Sequence, residues 1–214
     1  MTVFAIIASR GAPQSFRSGR NRWLRVVREG AIAAVASDRA GRSSPTAVNL
    51  RRYDRLLQEL AERFPAILPV RFGTRMAEDE LRSVLTSRRA ALARALAHVR
   101  KRAQMTVRIV GRHAPREPRH TAVPLTGRAY LRGRARAAAA AREVPGFEPV
   151  RKAVSRWVRD ERVEHRAGVS SVYHLVPRSS ADAYRHAAQT SAASSGLTAI
   201  VSGPWPPYAF AAFE

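Results

Sequence analysis

Residues 202–210 hold three prolines, one glycine and three aromatics, and that run forbids a helix there. Each proline fixes φ and removes a backbone donor, and each residue before a proline is pushed toward extended backbone. Pro204, Pro206 and Pro207 therefore impose a stiff ribbon that carries Trp205, Tyr208 and Phe210. A ribbon that is already stiff loses little entropy on docking, and aromatic rings supply large contact area. Two compatible readings are open: the ribbon packs on its own domain, or it presents its rings to a partner. Gly203 marks a turn or a close backbone approach. Trp205 and Tyr208 are three residues apart, as are Pro204 and Pro207, which is the repeat of a polyproline helix. The ribbon is expected to extend the last strand and to wedge its aromatics between two domains.

Ahead of it, strand and helix patterns alternate. Residues 3–8 read as a buried first strand, 9–19 as a loop, 31–36 as a second strand and 39–45 as another loop. From Asn49, the positions Leu50, Tyr53, Leu57, Leu60, Ala61 and Phe64 recur at helical spacing, with Asn49 as N-cap and Pro65 as stop. Residues 67–72 read as a strand, and Pro65 and Pro69 confine it to an edge or a bulge. Glu78, Asp79 and Glu80 make an acidic first turn for a helix that carries Leu81, Val84, Leu85, Leu92, Leu96 and Val99 on one face. Then come a strand at 105–110, a loop or linker at 111–124 and a helix at 127–142. Val150, Val154, Trp157 and Val158 mark another helix, followed by a strand at 169–176, a helix at 181–193 and a strand at 197–201. This order predicts an α+β fold of two small domains, each a sheet with packed helices on one face. The expected division is 1–102 and 103–214, with the proline-aromatic tail on the second.

Composition narrows the function. Hydrophobic residues make up 45% of the 214, enough for buried cores. The absence of cysteine excludes disulfides, thiol catalysis and zinc ribbons, and it fits a reducing cytoplasm. No signal segment precedes the short apolar run at 3–8, and no stretch is long enough for a membrane span. The net charge is +22, and all but two of the 38 basic residues are arginine, the lysines being Lys101 and Lys152. An anionic partner and genomic base composition both account for this. The charge is uneven: residues 100–136 hold eleven basic residues against one acid, Glu117, whereas 167–214 are neutral. The stretch 100–136 predicts weak, nonspecific polyanion binding, and the neutral tail suits packing or protein contact.

No catalytic constellation is visible. There is no phosphate-binding glycine loop, no nucleophile elbow, and no carboxylate cluster beside His98, His113, His120, His165, His174 or His186. His113 and His120 share a loop with arginines, which repel a cation. The reading is a protein without catalytic residues, cofactor or metal.

Residues 202–208, followed by Phe210, resemble the C-terminal signature of the gas vesicle protein GvpL/GvpF family. Residues 68–74, Leu-Pro-Val-Arg-Phe-Gly-Thr, lie between a helix pattern and an acidic helix start, as in that family, and residues 127–131 extend the match. The resemblance implies that at least one domain is ferredoxin-like. It also implies a cytoplasmic, gas vesicle-associated, non-enzymatic protein that binds the gas vesicle shell protein or other accessory proteins during assembly. The candidate structural or partner-contact residues are Leu68, Pro69, Arg71, Phe72 and Gly73 in one motif, and Gly203, Pro204, Trp205, Pro206, Pro207, Tyr208 and Phe210 in the other. Arg71 has two readings: a structural arginine paired with a carboxylate or a helix end, or a directional contact to a partner's acid. The alternative class is a basic nucleic-acid-binding α+β protein, yet Tyr130 is the only aromatic within the basic stretch.

Overall fold

The computed structural model describes residues 1–19, 22–38, 44–110, 143–166 and 168–211. Most of the loop expected at 39–45 lies outside them, as do the loop at 111–124, the helix at 127–142 and residues 127–131 of the resemblance. The chain is α+β, with two sheets and packed helices in two compact units. One unit comprises Met1–Gln104 and the residues from Trp205 onward; the other is Met105–Pro204.

The first unit is built on a five-stranded antiparallel sheet of order β2-β3-β4-β1-β5. Its strands are β1 (Thr2–Ala8), β2 (Ser15–Ser18), β3 (Arg22–Glu29), β4 (Ile32–Ser37) and β5 (Ile67–Pro69). β4 is buried at every position, so both faces of the sheet are covered. Ala33 and Val35 join Leu24, Val26, Leu56, Leu57 and Leu60 in a core under α1 (Ala47–Arg63). By alternation Ile32, Ala34 and Ala36 face the other way. There α2 (Glu78–Ser87) and α3 (Arg89–Val99) pack on the sheet with Leu81, Leu85, Leu92 and Leu96 buried. Helices thus lie on both faces of this sheet, not on one.

Local chemistry explains three departures from expectation. Thr46, not Asn49, caps α1: its backbone is extended, and its hydroxyl accepts the Asn49 N–H at 3.3 Å. The single helix expected after Glu78 breaks at Arg88, just after Ser87 turns its hydroxyl back onto the Val84 carbonyl at 3.2 Å. Within the expected loop at 9–19, β2 forms because Phe16 is buried edge-on against Phe64, with ring centres 5.7 Å apart. The expected edge position of β5 holds, but the strand is only three residues long.

Among its described residues the second unit is built on the strands and α-helices β6 (Arg102–Val110), α4 (Glu148–Val154), β7 (Asp160–Arg166), β8 (Val169–Pro177), α5 (Ala181–Ser194) and β9 (Ala199–Trp205). Their βαββαβ order and the strand order β7-β8-β6-β9 make a ferredoxin-like sheet. Met105, Val107, Val172, Val176 and Tyr184 form the core with Val150 and Val154 of α4. Trp157 and Val158 fall beyond α4 but still pack on that core. β7 was not anticipated, since Val163 is its only apolar residue.

Candidate functional site: two motifs meeting on the first helix

Within the first unit, Tyr53 and Asp54 on α1 receive the two sequence motifs. Tyr53 is half-buried, and its hydroxyl donates to the Val70 carbonyl just past β5. Its ring meets Phe72 edge-on, centroids 5.2 Å apart and planes 89° apart, and lies 6.1 Å from Phe4. Burial pushes the Tyr53 phenol above its ordinary range. Leu68 is fully buried and Pro69 half-buried at the end of β5. The chain then turns: the Arg71 carbonyl accepts both the Thr74 N–H at 3.2 Å and its hydroxyl at 2.8 Å. Gly73 has φ +80°, which a side chain would strain. The Arg71 side chain is exposed, and among the described residues no hydrogen bond or ion pair holds its guanidinium. Its carbonyl serves structure, and its guanidinium faces solvent.

The tail reaches the neighbouring residue of the same helix. β9 runs through Gly203, whose φ of +119° excludes other residues, across a cis Gly203–Pro204 bond to Trp205. In the second unit, Arg185 donates to the Gly203 carbonyl at 2.5 Å. Pro206 and Pro207 are buried, and residues 208–210 close a 3-10 turn, the Phe210 N–H donating to Pro207 at 3.1 Å. The polyproline repeat expected for Trp205 and Tyr208 therefore ends at this turn. The Tyr208 hydroxyl donates to Asp54 Oδ1, while Asp54 Oδ2 accepts the Gln58 amide at 3.0 Å. Burial first, and the Asp54 carboxylate second, push the Tyr208 phenol upward. Ala209 N–H donates to Gln104 Oε1 at 2.8 Å, Phe210 is buried, and the turn packs against β5.

Motifs more than a hundred residues apart in sequence thus share one helix, through Tyr53 for one and Asp54 for the other. Leu68, Pro206, Pro207 and Phe210 are its packed interior. Arg71, the 37% exposed Tyr208 and the half-buried Trp205 reach solvent. Two phenols held in their protonated form, a hydrogen-bonded carboxylate and an exposed guanidinium offer recognition chemistry. Among the described residues no group of three or more His, Cys, Asp or Glu could hold a metal. Sequence reading counted Tyr53 as a core position and passed over Asp54, since a carboxylate on a helix's polar face carries no sign that a distant phenol lands on it.

The second unit holds a buried polar chain that sequence reading also passed over. His174 on β8 is fully buried; its Nδ1 lies 2.6 Å from the Tyr184 hydroxyl and its Nε2 2.7 Å from Glu161 Oε2 on β7. Arg151 on α4 donates to both Glu161 oxygens, at 3.1 and 3.3 Å, and to Glu148 at 2.8 Å. The carboxylate only accepts, so Nε2 carries the proton toward Glu161, and in the neutral ring Nδ1 accepts from Tyr184. Every group is satisfied within the chain, so the network ties β7, β8, α4 and α5 together.

A search of curated proteins found no match. Among solved structures the chain resembles the crystal structure of the gas vesicle protein GvpF from Anabaena sp. PCC7120, with a TM-score of 0.70 at 11% identity over 100% of this chain and 98% of that one. It also resembles that of GvpF from Microcystis aeruginosa, with a TM-score of 0.73 at 11% identity over 99% and 98% of the two chains. At this identity the likeness speaks for the fold. The family model for gas vesicle synthesis protein GvpL/GvpF matches residues 2–212. Nearly the whole chain is matched, so this protein belongs to the GvpL/GvpF family of gas vesicle synthesis proteins.

Proposed function

We propose that this protein is a non-enzymatic accessory factor of gas vesicle formation that binds the gas vesicle shell protein, or another accessory protein, through the face of the first unit where the tail meets α1. The convergence of the two family-like motifs on Tyr53 and Asp54 carries the reading, because it leaves Arg71, Trp205 and Tyr208 accessible on a rigidly held surface. A shell subunit that self-assembles through apolar surface needs a binder that masks or orients that surface, and aromatics flanked by an arginine suit that contact. The same reading places the protein in the cytoplasm with the vesicle. No helix among the described residues is long and apolar enough to cross a membrane.

The test is a pull-down with the shell protein beside a melting curve. Arg71→Ala and Trp205→Ala together should weaken binding by roughly 2 kcal/mol or more, as at a hot spot. Arg71→Ala alone should leave the melting temperature unchanged. A folded double variant that binds as well as the parent would overturn the proposal.

A further inference from the structure

We infer that the first unit carries a second binding site, a cleft for an acidic peptide segment at the C-terminal end of α1. The cleft, of about 330 Å³, is lined by Arg10, Pro13, Arg63, Phe64, Pro65 and Ala66, with no carboxylate in its walls. Asp54 and Arg63 are nine residues apart on one helix, roughly 13 Å along its axis, so cleft and tail are separate surfaces.

Both walls are fixed before any ligand arrives. On one side, the Ser9 N–H donates to Ala31 at 2.9 Å and its hydroxyl to Gly30 at 2.7 Å. The Ala12 N–H donates to Ser9 at 3.1 Å, and the Arg28 guanidinium holds the Ala12 carbonyl. On the other, the Phe64 N–H donates to Leu60 at 2.9 Å and the Pro65 carbonyl takes the Lys101 N–H at 2.6 Å. The backbone of both walls is thus ordered in advance, which confines the ordering cost of binding to the side chains. Arg63 is steadied over the Phe16 ring at 4.4 Å. Arg10 is exposed, and among the described residues nothing holds its guanidinium.

Two guanidinium groups without an acid between them select an anion, and their planar forks match a carboxylate. Beside them Pro13, Phe64 and Pro65 form an apolar wall that a bare inorganic anion leaves wet. A carboxylate next to an aliphatic side chain uses both parts. The volume suits two or three side chains and not a folded domain. The occupant is therefore a segment of a partner protein with Glu or Asp beside Leu, Ile or Val.

The probe is a fluorescent N-acetyl-Leu-Glu-Leu amide, titrated by anisotropy into the full chain. Arg10→Ala should keep the melting temperature and weaken binding about tenfold. A Gln-containing peptide should lose a similar factor. Arg10→Glu should reverse the preference toward N-acetyl-Leu-Lys-Leu amide, which a purely structural arginine would not do. Equal binding by parent, Arg10→Ala and Arg10→Glu would overturn the inference. So would displacement of the peptide by inorganic phosphate at concentrations equal to the peptide's own, which marks a bare-anion site. Shell-protein capture should be unaffected by Arg10→Ala, so failure here is distinguishable from failure of the tail surface.

Discussion

Glu161 is held by His174 Nε2 at 2.7 Å and by Arg151 Nε at 3.1 Å, and its carboxyl is lowered from 4.5 to about 2. The His174 hydrogen bond is the larger cause and Arg151 the next, with burial opposing both. The folded value lies below the unfolded one, so this stabilisation is complete above about pH 4.5 and fades as pH falls toward 2. Melting temperature should therefore drop less steeply across that window in Glu161→Gln than in the parent, while the variant is less stable at pH 7. For phenols the sign is opposite. Tyr53, Tyr173, Tyr184 and Tyr208 are all raised from 10, chiefly by burial, so the unfolded chain ionises first and stability declines as pH rises past 10. Absorbance at alkaline pH should show most of the phenolate appearing above pH 10, together with unfolding. Tyr208→Phe keeps the ring, loses the bond to Asp54 and should cost about 1 kcal/mol.

β1, β4, β8, α1 and α5 were legible because runs of apolar residues or helical spacing mark them without help from neighbours. β2 and β7 were not. Each has one apolar residue facing a core, Phe16 or Val163, and a single position shows no period. β7 exists because β8 pairs with it along its whole length, an influence from elsewhere in the chain. Missing β7 also hid Glu161. The first motif was legible as an edge strand and a turn, but its anchor, Tyr53, lies on another element. The α1 boundary offers a direct comparison of two capping residues. Thr46→Ala should cost about 1 kcal/mol in thermal unfolding. Asn49→Ala should cost less, since it leaves the backbone N–H of the cap in place and removes only an exposed side-chain bond to the Ser44 carbonyl.

Across the whole molecule, the net charge of +22 governs long-range behaviour while the fold is set by apolar burial. The chain should bind heparin at ~20 mM salt and release it by ~150 mM, where charges are screened within about 8 Å. Sequence-selective binding that survived at high salt would favour the nucleic-acid alternative. The two-unit α+β plan was legible from alternating patterns, whereas the grouping of residues beyond Trp205 with the first unit was not, because no local signal says where a ribbon lands. That grouping makes the first unit discontinuous. A fragment of residues 1–104 should melt below the full chain, and a peptide of residues 205–214 should raise its melting point by restoring buried Phe210 and the Ala209–Gln104 bond. During synthesis, roughly 100 residues separate Gln104 from Trp205, a delay of about 5–20 s at ordinary translation rates. For that interval the nascent first unit has its sheet but lacks its closing segment. A partner that reads the tail against α1 therefore meets its target only after the second unit has been made, so recognition reports that translation has passed residue 210.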